Sequence, residues 1–249
     1  MTDEGKSSLP SPPATFDSGD DYSSVAENSP ARLSVGRSGP RLRTETSLQF
    51  RADHAAARDA VLTKVSQETI DELDLVSIKT LVSNQDEYLE NPNKGRDISA
   101  ETADVLRSEC TVNPDVQIIV CDGLSSTAVE NNIRDLLPMV EQGLKSREYD
   151  VGTSLFVKFG RVNVMDAIGE ELNAQCIVNL IGERPGLQTA QSLSAYMVYN
   201  PVRGKSTAKK TVISNIHSDG LPPVEAGAQI VEYVEKMLKH GGSGLDLEN

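Results

Sequence analysis

The stretch Ile177 to Leu187, reading Ile-Val-Asn-Leu-Ile-Gly-Glu-Arg-Pro-Gly-Leu, limits the fold more than any other part of the chain. A short apolar run with little polar alternation fits a strand covered on both faces, as in a parallel sheet. It stops at Gly182, and a charged pair, Glu183-Arg184, follows inside a Gly/Pro loop. In open α/β sheets ligands bind at the carboxyl ends of such strands, so Glu183 and Arg184 stand where a ligand is expected. A surface turn carrying an ordinary ion pair would look the same, and the remainder of the chain has to separate the two.

Composition narrows the partners. A formal net charge of -13 and a pI near 4.7 argue against nucleic acid and against anionic membrane surfaces. No apolar stretch approaches the roughly 20 residues that span a bilayer, and the first residues lack the basic-then-apolar pattern of a secretory signal. Cys110, Cys121 and Cys176 are odd in number and far apart, which fits reduced thiols in the cytoplasm and neither a disulfide frame nor a zinc site. His54, His217 and His240 show no metal-ligand spacing. No metal site is expected.

Residues 1–31 are rich in Ser, Pro, Asp and Glu, without periodicity, and are expected to form a disordered tail. Gly36 to Thr44 then packs three arginines, Arg37, Arg41 and Arg43, and two glycines into a loop. In an acidic chain such a cluster should face acceptors, and with no preceding strand and no Walker pattern an interface fits better than a phosphate site. A helix is expected over Phe50 to Lys64 with Asp53 as its N-cap, a second over Ser66 to Leu75, and a third over Ala100 to Glu109, with a turn-rich connection at Tyr88 to Arg96. Residues 32–109 thus read as a small helical subdomain whose thin core should pack on something else.

From 110 to 249 the pattern changes. Strands are expected at Val116–Cys121, Thr153–Phe159, Cys176–Ile181, Leu193–Tyr199 and Lys210–Ile216. Between them, Val129, Ile133, Leu136, Leu137, Val140 and Leu144 stripe a long helix, with Thr127 and Glu130 at capping-box spacing and Pro138 as a bend. Val164, Ile168 and Leu172 stripe a short helix, and Pro223 opens a last one that ends before Gly241 and Gly242. Alternating strands and helices give an α/β fold, a doubly wound, mostly parallel Rossmann-like sheet.

If the strands are parallel and adjacent, four segments converge: Asp122-Gly123, Gly160-Arg161-Val162, Gly182 to Gly186, and Val212 to Asn215. Gly182-x-x-x-Gly186 is not a dinucleotide fingerprint, so a nicotinamide site is not expected. Ser214 and His217-Ser218-Asp219 contain the residue types of a hydrolase triad but lack a Gly-x-Ser-x-Gly elbow. Asp53-His54 has the residue types of an acid/base pair, but a cap followed by a packed histidine accounts for it better. The residues themselves lead to an α/β ligand-binding domain with a helical N-terminal arm, and name no reaction.

The ordered motifs add to this. Gly36-Arg37-x-Gly39-Pro40-Arg41, Ala52-Asp53-His54-Ala55, Asp122-Gly123-Leu124-Ser125 and Gly160-Arg161-Val162 are followed by Asp166-x-Ile168-Gly169-Glu170, Gly182 to Leu187, Ser192-Leu193-Ser194, Tyr199 and Ile213 to His217. As a set they resemble the small (light) subunit of ethanolamine ammonia-lyase, from about Gly36 to Gly244. The resemblance implies a lyase that converts ethanolamine to acetaldehyde and ammonia with adenosylcobalamin. Ethanolamine would bind in a barrel on a separate large subunit, and no catalytic side chain is expected on this chain.

The family's cobalamin contacts carry over to Val162, Glu183 and Val212. A carboxylate at Glu183 suits the amide N–H groups of the corrin rim. Some relatives carry Cys where Val212 stands, which leaves the backbone as the contact there. Arg161 and Arg184 would touch the ligand or brace Glu183. Arg37, Arg41 and Arg43 would dock the arm on the large subunit, in an assembly of six large and six small subunits. Composition leads to the expectation of a soluble cytoplasmic protein, and the resemblance adds a bacterial microcompartment as an alternative location. The competing reading is a non-catalytic α/β ligand-binding or regulatory protein that uses the same strand-end loops.

Overall fold

The computed structural model describes Leu33 and residues 35–247; the expected disordered tail, residues 1–31, lies outside the described residues. The chain separates into two compact units between Ala56 and Ala57.

In the first unit, β1 (Arg37–Ser38) and β2 (Arg41–Leu42) pair antiparallel about Gly39. The helix α1 (Thr44–Leu62) follows and continues into the second unit. It starts well before the expected Phe50. Asp53 is therefore no cap: it lies inside the helix and accepts a hydrogen bond from Gln49 one turn earlier, at 2.8 Å. The Ala-rich centre misled the reading, because Thr44 to Gln49 carries no capping signal yet extends the helix by local propensity. None of the described residues in this unit is buried.

The second unit holds a six-stranded sheet. Its strands are β3 (Val76–Lys79), β4 (Val116–Cys121), β5 (Leu155–Lys158), β6 (Cys176–Gly182), β7 (Leu193–Tyr199) and β8 (Thr211–Ile216), in the spatial order β3-β5-β4-β6-β7-β8. The pairs from β3 to β6 are parallel, while β6/β7 and β7/β8 are antiparallel, so β7 alone runs against the others. The mostly parallel, doubly wound α/β sheet is as expected.

Its helices are α2 (Gln67–Glu72), α3 (Gln85–Glu90), α4 (Ala100–Glu109), α5 (Ser126–Lys145), α6 (Val164–Leu172) and α7 (Pro223–His240). Four of them begin at side-chain caps that accept from the N–H three residues on: Ser66, Asn84, Ser99 and Ser125. The segment expected to be helical throughout also contains β3, whose four residues Val-Ser-Ile-Lys are too short to declare a period, and α3 replaces part of the expected loop around Tyr88.

Two apolar clusters sandwich the sheet. On the first face α5 and α7 cover β4, β6, β7 and β8 through Ile133, Leu136, Val140, Ile230 and Val234. On the second face α4 and α6 cover β3, β5, β4 and β6, and β7 contributes only Val198 to the buried cluster. Two details of α5 differ from expectation. Its N-cap is Ser125, whose Oγ accepts from the Ala128 N–H, and no Thr127/Glu130 box forms. Glu130 instead accepts from Ser66 N and Thr69 Oγ1, tying α2 to α5. Pro138 sits inside an unbroken helix. Among the described residues no helix is long and apolar enough to cross a membrane.

Candidate functional site

The loops after β4, β5 and β6 meet as expected, but they meet by packing their backbones together. Gly123 has φ +60, and a Cβ there would lie 2.2 Å from Gly182 O; a Cβ on Gly182 would lie 2.1 Å from Ser125 O. Leu124 N donates to Gly182 O at 3.1 Å. No room is left between these two loops for a ligand.

Asp122 ties the β4 loop to the β5 loop. Its carboxylate accepts from Phe159 N (2.8 Å), Gly160 N (3.0 Å) and Gly123 N (3.0 Å). Burial pushes its pKa up to about 6, against the pull of these N–H groups and of the Lys158 charge. Tyr88, itself buried, shares its hydroxyl proton between Gly123 O and Gly160 O at 2.7 and 2.9 Å. Arg161 then stacks its guanidinium 4.1 Å from the centre of the Tyr88 ring and donates to Tyr88 O. Arg161 therefore braces the loop against Tyr88 and does not reach Glu183. Arg184 is exposed and pairs with no carboxylate among the described residues, so it does not brace Glu183 either.

The three expected contacts lie instead toward the second face of the sheet: Val162 just before α6, Glu183 just after β6, and Val212 on β8. Asn179 on β6, Tyr196 on β7 and Val212 on β8 are register partners, so their side chains share a face. Asn179 is fully buried and donates from Nδ2 to Val162 O at 3.3 Å, which links the row to the loop before α6. Its Oδ1 has no hydrogen-bond partner among the described residues. Tyr196 is half-buried, and Val212 is 48% exposed. Val212 is the second residue of β8, near the amino end, and not at the carboxyl edge where strand-end reasoning put it.

Glu183 closes the upper end of this row. Its Oε1 accepts from Ser194 Oγ at 2.6 Å and from Asn215 N at 3.0 Å, while Oε2 has no partner among the described residues. Burial, and then the Glu183 charge, raise the Tyr196 hydroxyl above its ordinary range, which puts these two groups in one electrostatic neighbourhood. A buried ion pair, Lys210 Nζ to Asp166 Oδ2 at 2.5 Å with side chains 1% and 3% exposed, joins the start of β8 to α6. Burial raises Asp166 and the Lys210 contact opposes it. This pair sets the segment of Val212 against the helix that Val162 leads.

Asn179, Ser194, Tyr196 and Asn215 were not singled out from the sequence. Asn179 was visible as the lone polar residue in an otherwise apolar run. The others depend on pairing across strands. The triad residue types do not assemble: His217 is buried, its Nε2 meets Asn215 Oδ1 at 2.9 Å, and its Nδ1 faces the backbone N–H of Asp219, not a carboxylate. Among the described residues no group of His, Cys, Asp and Glu has a metal-binding arrangement.

Comparison with known proteins gives a consistent result. The family model described as ethanolamine ammonia-lyase light chain (EutC) matches residues 19–248. The ethanolamine ammonia-lyase small subunit of Clostridium perfringens is 49% identical over 227 residues, covering 91% of this chain and 77% of that protein. The protein of the same name from Listeria monocytogenes is 48% identical over 227 residues, 91% of this chain and 78% of its own length. That from Clostridium acetobutylicum is 47% identical over 228 residues, 92% and 94%. These matches favour the lyase reading over an unrelated α/β binding protein. With its sheet, its Gly-Glu-Arg-Pro-Gly loop and this length of similarity, the chain belongs to the ethanolamine ammonia-lyase light-chain family, the small subunits of a carbon–nitrogen lyase.

Proposed function

We propose that this chain binds adenosylcobalamin through Val162, Glu183 and Val212 and, together with a large subunit that holds ethanolamine, forms a lyase yielding acetaldehyde and ammonia. One observation carries the proposal: the row Asn179, Tyr196 and Val212 on the second sheet face, exposed at Val212, is tied to Val162 through Asn179, and Glu183 is tied to the same strand as Val212 through the Asn215 N–H. The residues present fit such a ligand. Val212 and the ring of Tyr196 offer a flat, partly apolar bed, the Val162 and Val212 backbones border it, and Glu183 Oε2 is an ionisable acceptor for a neutral amide N–H.

When bound, the cofactor supplies the radical chemistry. The chain's own residues hold and shield it. Tyr196 and Val212 exclude water from one side, Glu183 sets its rotation by one charge-assisted hydrogen bond, and the Lys210–Asp166 pair keeps the two halves of the bed in register. No side chain here is assigned a proton transfer to or from ethanolamine.

None of the described residues of the first unit is buried, and Leu42, Leu48 and Phe50 are exposed, as are Arg37 and Arg41. This supports its role as a docking arm on the large subunit, in a complex of six large and six small subunits, in the cytoplasm or a microcompartment. The test is reconstitution with a large subunit proven active with its native partner. Ammonia release from ethanolamine is expected only with both chains and adenosylcobalamin, and Arg41→Glu is expected to reduce co-purification. Failure of the wild-type chain to form the complex would overturn the assembly reading.

A further inference from the structure

We propose that Ser194, Asn215 and His217 are positioning residues that hold Glu183 so that one oxygen alone, Oε2, faces the ligand; this rests on the reading that Glu183 touches the cofactor. The geometry starts at His217. The Asp219 backbone N–H points at Nδ1 from 3.3 Å, so Nδ1 is the acceptor and the ring proton sits on Nε2. Nε2 then donates to Asn215 Oδ1 at 2.9 Å. Asn215 has φ +63, a left-handed conformation that asparagine tolerates better than most residues. The returning chain locks it there, with Leu221 N donating to Asn215 O at 2.9 Å and His217 N to Leu221 O at 3.1 Å.

In this conformation the Asn215 N–H reaches Glu183 Oε1, which also takes the Ser194 hydroxyl. Gly220 makes the closure possible, since a Cβ there would lie 2.4 Å from Asn215 O and 2.7 Å from His217 Nε2. Three residues that would otherwise be a strand end, a buried histidine and a buried serine thus form one device.

The consequence is chemical selectivity. With Oε1 occupied by two donors, Glu183 has a single outward acceptor and its negative charge to offer. It suits one neutral N–H donor, such as a primary amide, and repels a carboxylate at the same place. Cobalamin should bind well, while a cobalamin with that peripheral amide hydrolysed to an acid should bind poorly.

The experiment is a double-mutant cycle on the two-subunit complex, with hydroxocobalamin as the probe and retention followed by its visible absorbance in equilibrium dialysis. Ser194→Ala in the wild-type background is expected to weaken binding about 5- to 10-fold, the effect of one typical lost hydrogen bond. Ser194→Thr should keep near-wild-type affinity. In the Glu183→Ala background, Ser194→Ala should cost less than about 2-fold, because its target is gone. His217→Leu should behave like Ser194→Ala. Additive losses from Ser194→Ala and Glu183→Ala would overturn the positioning role. Unchanged affinity in Glu183→Ala would instead remove the cofactor contact itself; the same cycle followed by thermal melting of the cofactor-free complex then reports separately whether the three residues are coupled.

Discussion

The two faces of the sheet are built from the same kinds of strand residue and have different fates. On the first, α5 and α7 cover β4, β6, β7 and β8, and most inward side chains there are buried. On the second, α6 stops short, and Tyr196 and Val212 on β7 and β8 lie beyond it. The same contrast holds between loops. The crevice between the β4 and β6 loops, where a doubly wound sheet is expected to bind, is filled by its own backbone at Gly123 and Gly182. In the proposed reading the ligand lies on the outer flank of the second face and not in that crevice. What β7 and β8 add beside the parallel core, with β7 alone antiparallel, is an outer part of the second face on which Val212 is exposed and Tyr196 half-buried.

That comparison breaks most sharply at the closed crevice. Gly182→Ala places a methyl 2.1 Å from Ser125 O and 2.6 Å from Asp122 O, both backbone atoms that cannot step aside. The expected loss is more than about 3 kcal/mol, seen as a large fall in the chemical-denaturation midpoint or as insoluble protein. A stable, soluble Gly182→Ala would mean the crevice is looser than described. Next in size is the buried ion pair. Lys210→Met alone leaves Asp166 unpaired and should cost about 3–5 kcal/mol, whereas Lys210→Met with Asp166→Leu should recover most of it. If the double variant is no better than the single, the pair does not act as a unit.

Asp122 supplies a pH test of the closed region. Its folded pKa, about 6, lies above the ordinary 3.8 because of burial. Between those values the folded state holds the extra proton, so this group's contribution favours folding at low pH and declines as pH rises from about 4 to about 6, then levels off. The stability of wild type relative to Asp122→Asn should follow that course, and a flat difference across the range would show that the carboxylate is not perturbed. The smallest effect on folding belongs to the open face. Val212→Lys should change stability by no more than about 0.5 kcal/mol, as for an exposed strand position. It should nevertheless lower cobalamin retention more than tenfold by putting a charge on the bed. A large stability loss with unchanged retention would reverse the assignment of the two regions.

How far the sequence reached follows from the range of the forces involved. The stripes of α5, α6 and α7, the apolar strands β4 to β6 and the Pro223 start are written in local periodicity and local backbone preference, and all appear where expected. The ordered motifs also led to the family, and with it to the proposal of Val162, Glu183 and Val212 as cofactor contacts. The misplaced start of α1, the unformed Thr127/Glu130 box and the unseen β3 share one cause: propensity is weak, and a four-residue strand or a cap is decided by what packs against it. Glu130 serves α2 because Ser66 and Thr69 come to it from more than sixty residues away.

The sequence by itself determined an acidic α/β chain with a glycine-bounded strand end, because hydrophobic period and turn chemistry act over a few neighbouring residues. Only the tertiary structure decided that Asn179, Tyr196 and Val212 share a row, that Glu183 is clamped from Ser194 and Asn215, and that Arg161 turns to Tyr88. Those arrangements rest on strand direction and register, which are set by closing long loops and burying one face of each strand, and no short window of sequence contains them.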